Sequence, residues 1–443
     1  MADCLPFAPR PALLRNFSWV LVGNVVYEVC QWLNLVILAR MLSVSEVGVF
    51  ALALAIAAPV AILSSMNLSA IQVTDTEGDF SFREYVTTAL VGRSAAFLVV
   101  LAIGVVAGYP SEVVLVMAAV AGGHFVLGLR NTYHAYCQKM EQMEMVGVSK
   151  AVTGLLSLVF VAVTLAHTGS LLWGVVAMQV AKLLVVIGWD IPASARVAKG
   201  HGELNLPALG GLFGVPVGRI GALVRVGAPL GVGAFLFSLY PNTPKIAVEQ
   251  LSGVDDLGYY AAVMALVIVG KQVTQAAGFA ALPRLTTYAG GEMSRFWRLM
   301  RRLIGVALLI SVAGAAIAAV IGGDVLRLTF GPEYAPYAGL LVHASLAATT
   351  VFVAQFLKAG ILATRAFNAS LVCAGLGVSV LVSAVVPAVK LWGLFGAVYA
   401  LSLGFGVYSA AVLFVLFRAS QAGSPAGSGS SSQPTQDATG ATP

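Results

Sequence analysis

Charge is scarce in this chain. Asp, Glu, Lys and Arg make up 10% of its 443 residues, against roughly 25% in an average soluble domain. So few ionised side chains cannot cover the surface of a water-soluble protein of this length. Cysteine is scarcer still: Cys4, Cys30, Cys137 and Cys373 are four widely scattered residues, which excludes a secreted disulfide scaffold. The five histidines (His124, His134, His167, His201 and His343) share no ligand spacing with cysteine or carboxylate, so no metal centre is expected. No Gly-x-x-x-x-Gly-Lys-Ser/Thr stretch occurs, which argues against ATP hydrolysis. Nucleophile constellations are absent too, and neither a catalytic residue nor a cofactor is expected.

Apolar residues fill the space that charge leaves. They make up 59% of the chain, and the mean hydropathy is +0.91. A membrane-crossing helix needs about 20 mostly apolar residues. That criterion places twelve spans at 17–38, 47–67, 85–108, 112–132, 147–167, 171–190, 226–249, 258–280, 303–322, 337–357, 367–387 and 394–417. The expected fold class is therefore an all-α polytopic membrane protein. The net charge of +6 does not indicate nucleic acid, because nearly every basic residue falls in a short loop between apolar runs.

Lys and Arg also predict orientation. With a cytoplasmic N-terminus, eighteen of the 25 fall on the inside, and Arg40, Arg327 and Lys390 on the outside. Arg93, Lys182, Lys245 and Lys271 fall within spans. Both termini are thus expected in the cytoplasm. The external loops are short, the longest running from about Gly322 to Pro336, and an enzyme such as a polysaccharide polymerase or ligase would need a larger one.

The end of span one is repeated at the end of span seven. Leu42 and Ser43 match Leu251 and Ser252. After a one-residue insertion, Glu46, Gly48, Phe50 and Ala51 match Asp256, Gly258, Tyr260 and Ala261. A weaker match aligns Gly174 with Gly396. Both copies have six spans, so they share one orientation, and parallel repeats of this kind imply two lobes around a central cavity. The expected division is a six-helix lobe over 1–190, an inter-lobe linker over 191–223, a second six-helix lobe over 224–418 and a tail over 419–443. The linker, with Pro192, Pro207 and Pro216, reads as a loop holding at most a short interfacial helix. The tail is rich in Ser, Gly, Pro and Thr and reads as disordered.

The stretch Leu38, Ala39, Arg40, Leu42, Glu46, Gly48 and Phe50 resembles a pattern of the polysaccharide-unit flippases. These belong to the multidrug/oligosaccharidyl-lipid/polysaccharide exporter superfamily. Leu257, Gly258, Tyr259 and Tyr260 resemble its second-lobe counterpart. The resemblance covers about residues 13–418 and speaks more to fold than to substrate. It implies two six-helix lobes facing a cavity. It also implies export of a polyprenyl-diphosphate-linked oligosaccharide to the periplasmic leaflet of a bacterial inner membrane, for O-antigen or exopolysaccharide synthesis. A polysaccharide polymerase and glycosyltransferases would then be its natural partners.

Polar residues inside the spans are the candidate site. Asn24, Tyr27, Glu28, Gln31 and Asn34 fall within an arc of roughly 120° on span one. Lipid cannot satisfy such a stripe, so it faces either a hydrophilic cavity or a neighbouring helix. Glu28, its carboxylate, is a candidate proton or cation site. Arg93, Lys182, Lys245 and Lys271 each cost at least about 2.5–3.5 kcal/mol at a helix centre. Only Glu28 and Glu249 face them within the spans, and Glu249, four residues from Lys245, is an expected partner for it. The remaining basic excess calls for an anionic ligand or for snorkelling to the interface. Gln272 and Gln275 extend the polar patch around Lys271. Pro241 and Pro244 are expected to distort span seven. Gly104-x-x-x-Gly108 and Gly227-x-x-x-Gly231 read as helix-packing sites.

The alternative function is a cation-coupled multidrug antiporter of the same superfamily, which would call for acidic residues in the cavity. Truncation after Arg418 leaves every span intact. Transport and membrane insertion should persist in that variant, measured as export activity and as protein recovered in the membrane fraction.

Overall fold

The structure, a computed structural model, describes residues 10–200, 214–364 and 366–422. The expected disordered tail lies outside the described residues from 423 on, its first residues to Ala422 being helical, and the middle of the expected linker lies outside them too. All regular structure among the described residues is helical: α1 (Arg10–Met41), α2 (Val44–Ser65), α3 (Leu68–Thr74), α4 (Phe82–Val106), α5 (Ser111–Lys139), α6 (Met143–Thr168), α7 (Leu171–Val185), α8 (Ile191–Gly200), α9 (Val217–Ser252), α10 (Val254–Ala289), α11 (Met293–Thr329), α12 (Ala338–Ala363) and α13 (Phe367–Ala422). Eleven segments among them are long and apolar enough to cross a membrane. The last, α13, is interrupted at Gly393, whose φ of 56° and ψ of −133° end one helix and start another. Counting its halves separately, each expected span has its helix. The chain is a multi-pass membrane protein.

Where expectation and structure differ, local bonding explains it. The expected linker is helical at both ends. A π-helical turn, Val186–Asp190, joins α7 directly to α8, and α9 begins at Val217. One face of α8 is buried through Ala193, Ser194, Val197 and Ala198, leaving Arg196 and Lys199 exposed. The prolines of span seven do not break α9, which runs through Pro229, Pro241 and Pro244. Within that stretch the Asn242 side chain donates to the Ser238 carbonyl at 2.7 Å. Gly108 is not helical: it takes a positive φ of 74° in the turn after α4. Gly227 and Gly231 do face a close approach, from Met66 at the end of α2.

Helices α1, α2 and α4–α7 pack among themselves, as do α9–α13, and α2 bridges the two sets by packing on α9 and α10. α1 runs along α6 and barely touches α10. The repeated motif lies at this bridge. A methyl group on Gly48 would run into the Val254 carbonyl, and one on Gly258 into the Val44 carbonyl. Each glycine thus meets the residue that precedes its counterpart by four, so the contact is reciprocal, as across a two-fold axis. Both helices start here. α2 is capped by Ser43 and Glu46 in a reciprocal capping box, and α10 carries Asp255 and Asp256 in its first turn.

Two further side chains close the same end. Arg40 donates to the carbonyls of Thr329 at 3.0 Å and Arg327 at 3.3 Å, and closely to that of Leu328, at the C-terminus of α11, where a cation is favoured. The Tyr109 hydroxyl donates to Glu249 at 3.0 Å. At the opposite end, Arg219 of α9 donates to Glu84 of α4 at 2.6 Å. Beside it Asp75 organises the α3–α4 turn. Partial burial raises its carboxyl pKa, but bonds from the Asp79 and Phe80 N–H groups and the Tyr85 hydroxyl hold it below the usual carboxylate range.

The glycine seal makes a contrast with one chemistry at two places. Gly305 on α11 has open space around it, so Gly305→Ala should be neutral or stabilising by up to about 1 kcal/mol. Gly48→Ala should instead destabilise by about 1–3 kcal/mol, because α2 and α10 must part. Thermal unfolding of the purified variants measures both.

Candidate functional site

Among α9, α10, α12 and α13 lies a cavity of about 390 Å³, within the roughly 300–1,000 Å³ of small-ligand sites. Ile268, Lys271, Gln272, Gln275 and Phe279 line it from α10, spaced so that one face of that helix supplies them all. α9 contributes Asn242 and Lys245, and α12 contributes Gln355 and Lys358. Among the described residues no carboxylate lines it. The sequence-expected residues Lys245, Lys271, Gln272 and Gln275 therefore share one cavity.

Three lysines face one another here. Lys271 is in electrostatic contact with both Lys245 and Lys358. The expected Lys245–Glu249 pair does not form: Glu249 is engaged by Tyr109 instead. Lys358 sits with its ammonium 4.3 Å from the Phe237 ring centroid, a cation–π contact. Lys358 and Gln355 were not among the sequence candidates, because Lys358 falls one residue past the expected span. α12 continues to Ala363 and carries it inside. An aromatic wall completes the site. Phe237 and Phe405 line it, and Phe405 stacks on Tyr240 with centroids 4.2 Å apart.

The remaining candidates lie in the other helix set. Arg93 is buried and donates to the Ala61 carbonyl at 2.6 Å, tying α4 to the last turns of α2. Lys182 is buried and donates to Gln179 at 2.9 Å. On α1, Asn24 accepts from Lys150 at 2.7 Å, and Tyr27 lies under Arg130. Asn34 is 1% exposed and donates to Ser157 on α6 at 3.2 Å. It is thus a packing contact between α1 and α6 rather than a cavity wall. Gln31 is half-buried, with its Nε2 unpartnered. Glu28 is exposed and stands in electrostatic reach of Lys150 in its own helix set and of Lys271 across the gap. It is the one acid of the stripe, and it addresses the lysine cavity from outside.

Cationic cavities and paired helix sets of this kind define a membrane transporter fold. Comparison with known proteins agrees. The sequence profile described as "Polysaccharide biosynthesis protein" matches residues 13–289. The chain belongs to that family. It is 21% identical over 361 residues to the capsular polysaccharide biosynthesis protein CapF of Staphylococcus aureus, covering 80% of this chain and 87% of that one. Among solved structures it is similar to the lipid II flippase MurJ in an inward closed conformation. The TM-score there is 0.71 at 8% identity, over 89% of this chain and 87% of that one. It is also similar to an inward-facing multidrug resistance MATE family transporter, with a TM-score of 0.70 at 13% identity, over 92% of this chain and all (100%) of that one.

The two kinds of buried base predict opposite stability effects. Arg93→Ala removes a buried charge-assisted bond between α4 and α2 and should cost about 1.5–3 kcal/mol. Lys271→Ala removes a charge that faces like charges, and should leave the thermal midpoint unchanged or raised. Unfolding curves of both variants in one detergent decide this.

Proposed function

We propose that this protein exports a polyprenyl-diphosphate-linked oligosaccharide from the cytoplasmic to the periplasmic leaflet of the bacterial inner membrane. The observation that carries the reading is the cavity with Lys245, Lys271 and Lys358 and no carboxylate. Lysine is a compact, strongly hydrated point charge suited to phosphate. Asn242, Gln272, Gln275 and Gln355 offer amide donors and acceptors to sugar hydroxyls, and Phe237 and Phe405 offer flat faces to sugar rings. An unsatisfied hydroxyl costs several kcal/mol in hydrocarbon, so the head group needs such a lining while the polyprenyl chain stays in the bilayer. α1 and α10 touch only slightly, so the space between them is where the polyprenyl chain would pass.

The two lobes, 1–190 and 224–418 joined by 191–223, would alternate about the reciprocal glycine contact. The distribution of Lys and Arg supports cytoplasmic termini with the sealed end outside, an orientation in which this conformation would be open inward. Glu28, in electrostatic reach of Lys150 and Lys271, is the candidate ion-coupling carboxylate. The name of the capsular relative supports a surface polysaccharide as the end product, with a polymerase and glycosyltransferases as partners. A multidrug antiporter would hold a cationic amphiphile, which three lysines repel.

Purified protein in vesicles with a fluorescent polyprenyl-diphosphate glycan tests this. Lys271→Ala and Lys358→Ala should each slow flipping by about tenfold, the equivalent of losing one charge-assisted contact of about 1.4 kcal/mol. Lys271→Arg should retain more activity than Lys271→Ala. Rates equal to wild type in both alanine variants, at equal incorporation, would overturn the assignment.

A further inference from the structure

The cytoplasm-facing overhang of α11 carries a surface that the transport cavity does not use. α11 has 37 residues, about 55 Å at 1.5 Å per residue, whereas the hydrocarbon core is about 30 Å thick. Its first turns therefore project beyond the hydrocarbon at the α10–α11 turn. Arg295, Arg298, Arg301 and Arg302 all lie in this stretch and are all exposed. At 100° per residue they occupy one arc of about 120°. Phe296 and Met300, both fully buried, occupy the opposite side, so the arginines point away from the protein.

What lies next along the same stripe identifies the occupant. Leu308, Leu309 and Val312 follow the arginines on that side of α11, and they are 48%, 69% and 55% exposed. In a membrane helix an exposed apolar stripe faces acyl chains. The arginines thus stand directly over a lipid-facing surface, at the depth of the head groups. Arg295 pairs with Glu292 at 2.6 Å. Among the described residues, Arg298, Arg301 and Arg302 have no ion-pair partner. All are arginine, whose planar guanidinium matches phosphate oxygens in pairs, and basic residues at this depth attract anionic lipid.

We propose that Arg298, Arg301 and Arg302 form a binding site for the phosphodiester head group of an anionic phospholipid in the leaflet next to the α10–α11 turn. The site is distinct from the lysine cavity and does not depend on what that cavity carries. Bound lipid holds the outer face of α11 at a fixed depth, and with it the end of α10, the helix that carries Lys271 and Gln275.

Trp297, half-buried beside the arginine face, reports on this lipid. Full-length protein is reconstituted in phosphatidylcholine vesicles containing a minor fraction of brominated phosphatidylglycerol or brominated phosphatidylcholine. The Trp297 signal is the difference between wild type and Trp297→Phe. Brominated phosphatidylglycerol should quench it several-fold more effectively than brominated phosphatidylcholine at equal mole fraction, with the excess reduced by high salt. The excess should vanish in Arg298→Gln/Arg301→Gln/Arg302→Gln. It should survive, reduced, in the corresponding triple lysine variant, which keeps the charge and guards against a folding artefact. Equal quenching by the two lipids in wild type would overturn the proposal, and would leave the arginine face free for an acidic protein partner.

Discussion

A hydrocarbon solvent gives polar atoms no partners, and the architecture follows from that constraint. Within the hydrocarbon every backbone group must be bonded within its own helix, and all regular structure among the described residues is helical. Each polar side chain must find protein, water or ligand. Arg93, Lys182 and Asn34 find protein partners. Among the described residues Lys245, Lys271 and Lys358 make no ion pair, and they surround a space instead, with Glu28 in electrostatic reach of Lys271 alone among the three. This difference separates bases that hold helices together from bases that line a cavity.

Much of the fold was legible in the sequence because it is written in hydropathy. A long apolar run is readable without knowing what it packs against, and each of the expected spans has a helix or half-helix in the structure. Helix ends were less legible. α9, α10 and α11 run well past their apolar cores at both ends, since outside the hydrocarbon a helix extends by its own hydrogen bonding and by capping. Lys358 was missed for that reason: one more turn of α12 turns a loop lysine into a cavity lysine. The helicity of the linker ends was hidden by Pro192 and Pro216. At the start of α8 and just before α9, proline tolerates helix and does not break it.

The site was legible in part. Lys271, Gln272 and Gln275 sit on one helix and share a face by spacing alone. That Lys245 joins them required knowing that α9 packs beside α10, which no period in the sequence encodes. The stripe on α1 was real as a stripe, but its two readings were indistinguishable before α6 was placed. Asn34 then turned inward to Ser157 while Glu28 stayed exposed. A helical wheel gives the direction of a side chain and does not name its neighbour.

The reciprocal approach of Gly48 to Val254 and of Gly258 to Val44 also bears on the origin of the chain. A contact in which each half presents the same motif to the other is self-complementary. A half-length protein carrying one copy could make it with a second molecule of itself, as an isologous dimer. Fusion of the two halves would then preserve the interface and free each copy to diverge. The polar side chains differ between the two helix sets: three lysines line the cavity among α9, α10, α12 and α13, while Arg93 and Asn34 bind helices together in the other set. The glycines, which the shared seal requires of both, remain.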